Sequence, residues 1–336
     1  MQATPVGGTG MRVQFRHRHA QVTTRLALAC LAATACGAAQ AAQDGVEMYG
    51  YFDIGLAKQS GTPLRIGRGY NNWLGWRGSE QLGEGSSAFF TAELRFDPDT
   101  GRQERAGTLM QGETTVGLRG GAGTLRLGRA LSPLWHDVWK YEPWINSGLN
   151  ASLAAYQTGS YSSDGVTDLE RDYADFSRFG NAVFYQSPSI GGWNVHVAGE
   201  LEQVSGASGR ARGAAFNYAG KALAAELAFE RNRNGDAIRY AGLSWTNGAL
   251  KLMGSGAQVR PRIGARENVA LLAATWTLGA NTLRAGVGRN TSLDSHKISL
   301  GLAHSLSKRT GLYADLYREE VQAVSRGVAV GITHSF

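Results

Sequence analysis

From Val46 to the C-terminus the chain is a succession of short segments in which apolar and polar residues take turns. Val46, Met48, Phe52, Ile54 and Leu56 alternate with Glu47, Tyr49, Tyr51 and Asp53, and Phe90, Ala92, Leu94 and Phe96 alternate with Thr91, Glu93 and Arg95. A period of two places every second side chain on one face of an extended strand. About sixteen such runs of roughly ten residues recur, a suitable length for strands tilted across a bilayer. The last run stops on Phe336, which shares a parity with Val328, Val330 and Ile332, with His334 interrupting and Thr333 and Ser335 opposite. One apolar face ending in an aromatic suits a membrane strand whose ring lies at headgroup level, and it also suits an edge strand of a soluble sandwich.

The connections carry more information than the strands. Gly120–Gly123, Pro188–Gly192, Ala219–Lys221, Thr246–Ala249 and Leu278–Asn281 are tight and glycine-rich or polar, whereas Asp97–Leu109, Glu202–Arg210 and Val259–Glu267 are longer. Alternation of short and long predicts a meander with two unlike rims and an even strand count. The chain also has 46 glycines but only 7 prolines, a balance suited to a curved sheet. We therefore expect an all-β fold, a transmembrane antiparallel β-barrel of about 16 strands. One connection breaks the scale: from Leu131 to Arg178 no repeat is visible, and loops of that length are usually functional.

The other end supplies an address. Arg12, Arg16, Arg18 and Arg25 precede the apolar run Leu26–Ala35 and the small-x-small site Ala39-Gln40-Ala41, which reads as a secretory signal over 1–41 ahead of a single barrel domain over 42–336. Met11 is an alternative start. Cys30 and Cys36 both fall in the leader, where a lipid anchor on Cys36 is the rival reading. The expected mature chain is free of cysteine and so has no disulfide framework or thiolate site. Four leader arginines without acids account for part of the formal +7, leaving about +3. Nucleic-acid binding is not expected on that balance.

Several pieces in order resemble the Gram-negative general porins, particularly the sixteen-stranded trimeric porins of Neisseria- and Burkholderia-like bacteria. Val46-x-Met48-Tyr49-Gly50-Tyr51-Phe52-Asp53-Ile54-Gly55 is similar to that family's first strand, and Gly75-Trp76-Arg77-Gly78-Ser79-Glu80-Gln81-Leu82-Gly83 to its early turn. Val116-Gly117-Leu118 and Gly123 to Arg129 with Pro133 resemble the hairpin before the third loop. Asn181 to Pro188 is similar to the strand leaving it, Leu306 to Ala314 to the late turn and strand, and His334-x-Phe336 to the ending.

The resemblance implies a homotrimer in the outer membrane, in contact with its lipid, that passes small hydrophilic solutes and ions without any cofactor. It also implies that the long loop, 131–180, folds into the lumen as a constriction, and that Phe336 is read by the outer-membrane assembly machinery. Loop acids Asp137, Glu142, Asp164, Asp168, Glu170, Asp172 and Asp175 outnumber Lys140, Arg171 and Arg178. The expected counterpart is a wall of lumen-facing bases, with Arg77, Arg95, Arg126 and Arg129 as candidates. Facing rows of opposite charge would set a transverse field across the passage. The sequence departs from the family pattern at Trp73 and Gly112, where arginines are usual. If Trp73 faces the lumen it offers a flat surface for sugar-like or aromatic solutes, and if a bend or register shift turns it outward it joins an aromatic belt.

Other functions fit the sequence less well. His136, His196, His296, His304 and His334 are possible bases for an outer-membrane hydrolase, yet none sits in a nucleophile or metal-ligand motif, and neither H-E-x-x-H nor G-x-S-x-G occurs. No metal site, ATP site or enzymatic activity is expected. A solute-preferring channel, a non-conducting structural or adhesive barrel and a soluble secreted sandwich complete the alternatives.

Overall fold

A computed structural model describes residues 45–105, 107–145, 151–165, 177–202 and 209–336. The predicted leader over 1–41 lies outside them. The described strands are β1 (Gly45–Gln59), β2 (Arg65–Arg68), β3 (Asn72–Gly83), β4 (Ser86–Phe96), β5 (Thr114–Gly120), β6 (Gly123–Leu131), β7 (Arg178–Gln186), β8 (Trp193–Glu200) and β9 (Arg212–Ala219). They continue as β10 (Leu223–Arg231), β11 (Ala237–Asn247), β12 (Leu250–Arg260), β13 (Glu267–Leu278), β14 (Asn281–Asn290), β15 (Ser295–Ser305), β16 (Thr310–Glu320) and β17 (Val324–Ser335). From β3 to β17 each pairs antiparallel with the next, and β17 returns to β1 over Tyr51↔Ser335 to Gln59↔Gly327. The strands β2 and β3 share β1 as partner and are halves of one stave, so the barrel closes with sixteen. Closure pairs the backbone polar groups within the sheet, which is what lets strands cross hydrocarbon.

The break between β2 and β3 follows from the pairing. Ile54 faces Arg68, but three positions back Tyr51 faces Trp73, so two extra residues are accommodated. Asn72 repairs the gap with its side chain: its Oδ1 accepts from the Asp53 amide at 2.5 Å and its Nδ2 donates to the Asp53 carbonyl at 3.1 Å. An offset of two preserves parity. Trp73 therefore keeps the same face as Tyr51, Tyr49 and Asp53.

The two faces differ as the alternation predicts. Phe216, Leu227, Leu243, Leu272, Leu300 and Val330 are exposed outward, while their neighbours Ala215, Glu226, Ser244, Leu271, Ser299 and Ala329 are buried inward. Two-residue turns join β11 to β12 and β13 to β14, with Gly248 and Gly279 at φ 57° and 60°, where a side chain would be strained. The longer connections lie at the opposite rim. At the seam the Phe336 amide donates to the Gly50 carbonyl at 3.2 Å and the Gly50 amide to the Phe336 carbonyl at 3.3 Å. The Phe336 ring lies 6.3 Å from Phe52, itself 5.2 Å from Phe96.

Candidate functional site: the inner loop and the wall it leaves open

The connection from β6 to β7 begins with α1 (Pro133–Asp137), whose start is fixed twice. Pro133 supplies a helical φ at a position where no amide is needed, and Ser132 Oγ accepts from the Trp135 amide at 3.4 Å. A 3-10 turn (Val138–Tyr141) and α2 (Ala155–Thr158) come next. Helices this short do not hold by themselves, so packing must fix them.

That packing is on the inner wall. Leu134, Trp135, Val138, Tyr141 and Tyr161 are buried against Ala215, Ala228, Ile238, Tyr240, Val259 and Val269, and Trp144, Leu153 and Tyr156 against Met253, Leu271 and Ala273. The same strands show Phe216, Leu227 and Leu272 on their outer side, so the loop occupies the lumen side. Wall glycines make room for its anchors. A Cβ on Gly242 would meet the Tyr141 ring at 2.6 Å, and one on Gly286 would meet Leu153 Cδ1 at the same distance.

Polar ties hold the loop in register. Trp144 Nε1 donates to Asp315 Oδ1 at 2.8 Å, Tyr156 hydroxyl to Glu319 at 3.0 Å, and Lys251 Nζ to the Lys140 carbonyl at 2.8 Å. The Ser160 amide donates to Glu267 at 2.9 Å. Burial, with Glu230 beside it, raises the Tyr161 phenol well above its ordinary value.

The expected charge pattern is redistributed. Asp137 is buried and bridges Lys140 and His136 within the loop. Burial pushes its carboxyl upward, but the bonds and charges of His136 and Lys140 outweigh that and hold it below the usual range. Glu142 is 2% exposed, and its two oxygens accept from the Trp144 amide at 2.9 Å and the Leu153 amide at 2.8 Å, so it braces the loop from inside. Asp164 pairs with Arg105 at 3.4 Å, from the β4–β5 connection. Asp168, Glu170, Asp172 and Asp175 lie outside the described residues.

The basic candidates divide similarly. Arg77 shares the inner face with Glu47 and bonds it at 2.9 Å, and Arg126 bonds Glu113 at 2.8 Å. Arg95 is 4% exposed and 3.8 Å from Glu104, behind the lumen surface. Arg129 sits opposite Thr114 on the parity of Val116 and Leu127, the apolar side, beside the irregularity between Gly128 and Ala130, and donates to the Gln111 carbonyl at 3.2 Å. Among the described residues Arg77, Arg95 and Arg126 therefore meet Glu47, Glu104 and Glu113, from β1 and the β4–β5 connection.

Trp73 is also engaged. Its ring stacks on Tyr51 with centroids 4.9 Å apart and meets Tyr70 edge-on at 5.9 Å. A nearby recess of about 200 Å³ is lined by Tyr51, Tyr70, Trp144, Tyr313, Asp53 and Asp315. Trp73 does not line it. The loop leaves the β1–β6 side open as a cavity of about 1030 Å³ bordered by Glu47, Arg77, Glu113, Arg119, Arg126 and His136. The reading from sequence missed Arg119, although it comes directly after the Val116-Gly117-Leu118 motif on the inward parity of Gly117. Its guanidinium sits 4.9 Å from the Phe89 ring centroid.

Known proteins share this architecture. The family model described as Gram-negative porin matches residues 27–323. Outer membrane porin protein 32 of Delftia acidovorans is 29% identical over 362 residues, covering 93% of this chain and 99% of its own length. An anion-selective porin from Comamonas acidovorans superposes with a TM-score of 0.73 at 24% identity, covering 88% of this chain and 100% of that one. A loop-deletion mutant of OmpT, an outer membrane protein of Vibrio cholerae, gives 0.65 at 13% identity over 87% of this chain and 99% of that one. A closed barrel with an apolar exterior and a charged, roomy interior is an outer-membrane channel for passive diffusion of small hydrophilic solutes and ions, and the chain belongs to the Gram-negative porin family.

Proposed function

We propose that this channel passes anions in preference to cations. The observation that carries the reading is the open wall, where Arg77, Arg119 and Arg126 line the cavity with Glu47 and Glu113 as its acids among the described residues. Arg119 has no ion-pair partner among the described residues, so its charge is left to act on solutes. Charged side chains in a narrow aqueous passage set ion preference. A structural relative described as anion-selective agrees with this reading. Reversal potentials of single channels in a potassium chloride gradient test it. We expect the sign that marks chloride as the more permeant ion, and a cation-selective sign would overturn the proposal.

A solute-preferring channel is the second reading, favoured by the recess of aromatic rings, two carboxylates and Arg284. Its lining rings include Tyr51 and Tyr70, beside the Asp53 and Asp315 carboxylates and the Arg284 guanidinium. Concentration-dependent slowing of current by aryl glycosides, abolished in Tyr51→Leu, is the expected sign.

The same proposal takes the working assembly as a homotrimer and assigns no catalysis. A Vibrio cholerae OmpT structure in trimer form has this fold with a TM-score of 0.64. His304 and His334 contact Asn281 and Thr310 at the exposed strand surface. Phe336, at the β1–β17 seam, is our candidate for recognition by the assembly machinery. Its deletion should lower barrel yield more than it changes selectivity. Cross-linking in native membranes, read together with that yield, tests both assignments.

A further inference from the structure

We propose that His136, Asp137 and His196 form a binding site for a divalent transition-metal ion of the zinc type, which pins the start of the long loop to β8. His136 and Asp137 close α1, and His196 stands on the inner face of β8 between Gln186 and Ala215 of the adjoining strands. Ligand atoms of all three lie within 4.8 Å of one another, and the two imidazoles meet edge-to-face with centroids 4.2 Å apart. Zinc held at about 2.0–2.2 Å by nitrogen and oxygen spaces tetrahedral donors by about 3.3–3.6 Å. Rotation of the His136 ring, whose side chain is 32% exposed, supplies the closure.

The independent observation is His196. It is 5% exposed, yet neither Nδ1 nor Nε2 has a hydrogen-bond partner among the described residues. A neutral imidazole carries one donor and one acceptor, and burying both unsatisfied is unfavourable. A metal ion takes the lone pair that is otherwise left unmatched. Two imidazoles with one carboxylate suit zinc, copper or nickel better than calcium or magnesium, which take oxygen ligands.

Access and competition are both provided for. His136 borders the large cavity, so an ion enters from the lumen and a water or chloride completes its shell. Lys140 holds Asp137 when no metal is bound. Its long stem lets it withdraw toward the Trp139 ring, whose centroid is 5.7 Å from Nζ.

Calorimetric titration of the folded, detergent-solubilised protein with zinc chloride tests this without reference to conduction. We expect one zinc per chain, with affinity reduced at least about tenfold in both His196→Ala and His196→Gln, and unchanged in His304→Ala. Heat-modifiable electrophoretic mobility verifies that each variant is folded. Cobalt substitution should give the visible bands of a low-coordinate site in the unaltered protein and lose them in His136→Ala. Absence of saturable zinc binding, or equal affinity in folded His196→Ala, would overturn the proposal.

Discussion

The two halves of the barrel wall solve different problems. Strands β9 to β14 present alanine, glycine and aromatic residues inward, and the long loop lies on them, with Leu134, Tyr141, Leu153 and Tyr156 as anchors. Strands β1 to β6 present Glu47, Arg77, Glu113, Arg119 and Arg126 to the open cavity. One half is a packed interface and the other borders an open cavity. On the proposed reading, solutes would meet the loop on one side and a charged wall on the other. Glu142 and Asp137 do not supply an opposing acidic row, because both are engaged in holding the loop together.

The strongest challenge to this contrast is removal of an anchor from the covered half. Tyr141→Ala should weaken loop docking by about 3–5 kcal/mol, the usual cost of truncating a buried aromatic. Protease sensitivity within 132–177 should rise and single-channel conductance become noisier and larger, and unchanged sensitivity would remove the docking role. Next comes the brace: Glu142→Ala strands the Trp144 and Leu153 amides at a cost of about 1–3 kcal/mol. Hydrogen exchange at those two amides reads it directly.

On the open half, Arg119→Glu should leave stability alone and lower the chloride-to-potassium permeability ratio by about fivefold at low salt, with the effect shrinking as salt screens it. The same substitution on a cavity governed by the loop would do nothing. The smallest effect concerns pH. The Tyr161 phenol ionises above its ordinary value of 10.0 in the folded protein, so the contribution of its protonated form is complete below pH 10. That contribution fades as pH rises above 10 toward the raised value, because the unfolded chain loses the proton first. Tyr161→Phe should flatten this alkaline loss in a loop-proteolysis profile taken upward from pH 9.

How far the chain announces this arrangement depends on the kind of contact. Strand number, rim asymmetry and the inward set of β1 are local, and the alternation of Val46, Met48 and Phe52 with Glu47, Tyr49 and Tyr51 carries them. The facing of Trp73 depends on how many residues the break at Gly69–Asn71 absorbs, and no composition rule counts them. Arg129 looks like a neighbour of Arg126, yet three residues of regular alternation give it the opposite parity, that of Val116 and Leu127. The partners of Glu142 are backbone amides, which nearly every residue has and none advertises. His136 and His196 come together only because α1 docks on β8 and β9, a tertiary event outside any motif spacing.

The Asn72 repair bears on how such a barrel can change over generations. A side-chain amide stands in for a missing peptide group, so the stave tolerates two surplus residues while its ladder to β1 stays tied. Two is the smallest insertion that leaves inside and outside unexchanged, whereas a single residue would send Arg77 to the lipid and Trp76 to the water. Length variation in the staves is thus quantised in pairs. A library of one- and two-residue insertions at Gly69–Asn71, sorted for assembled barrels, should return the even class alone.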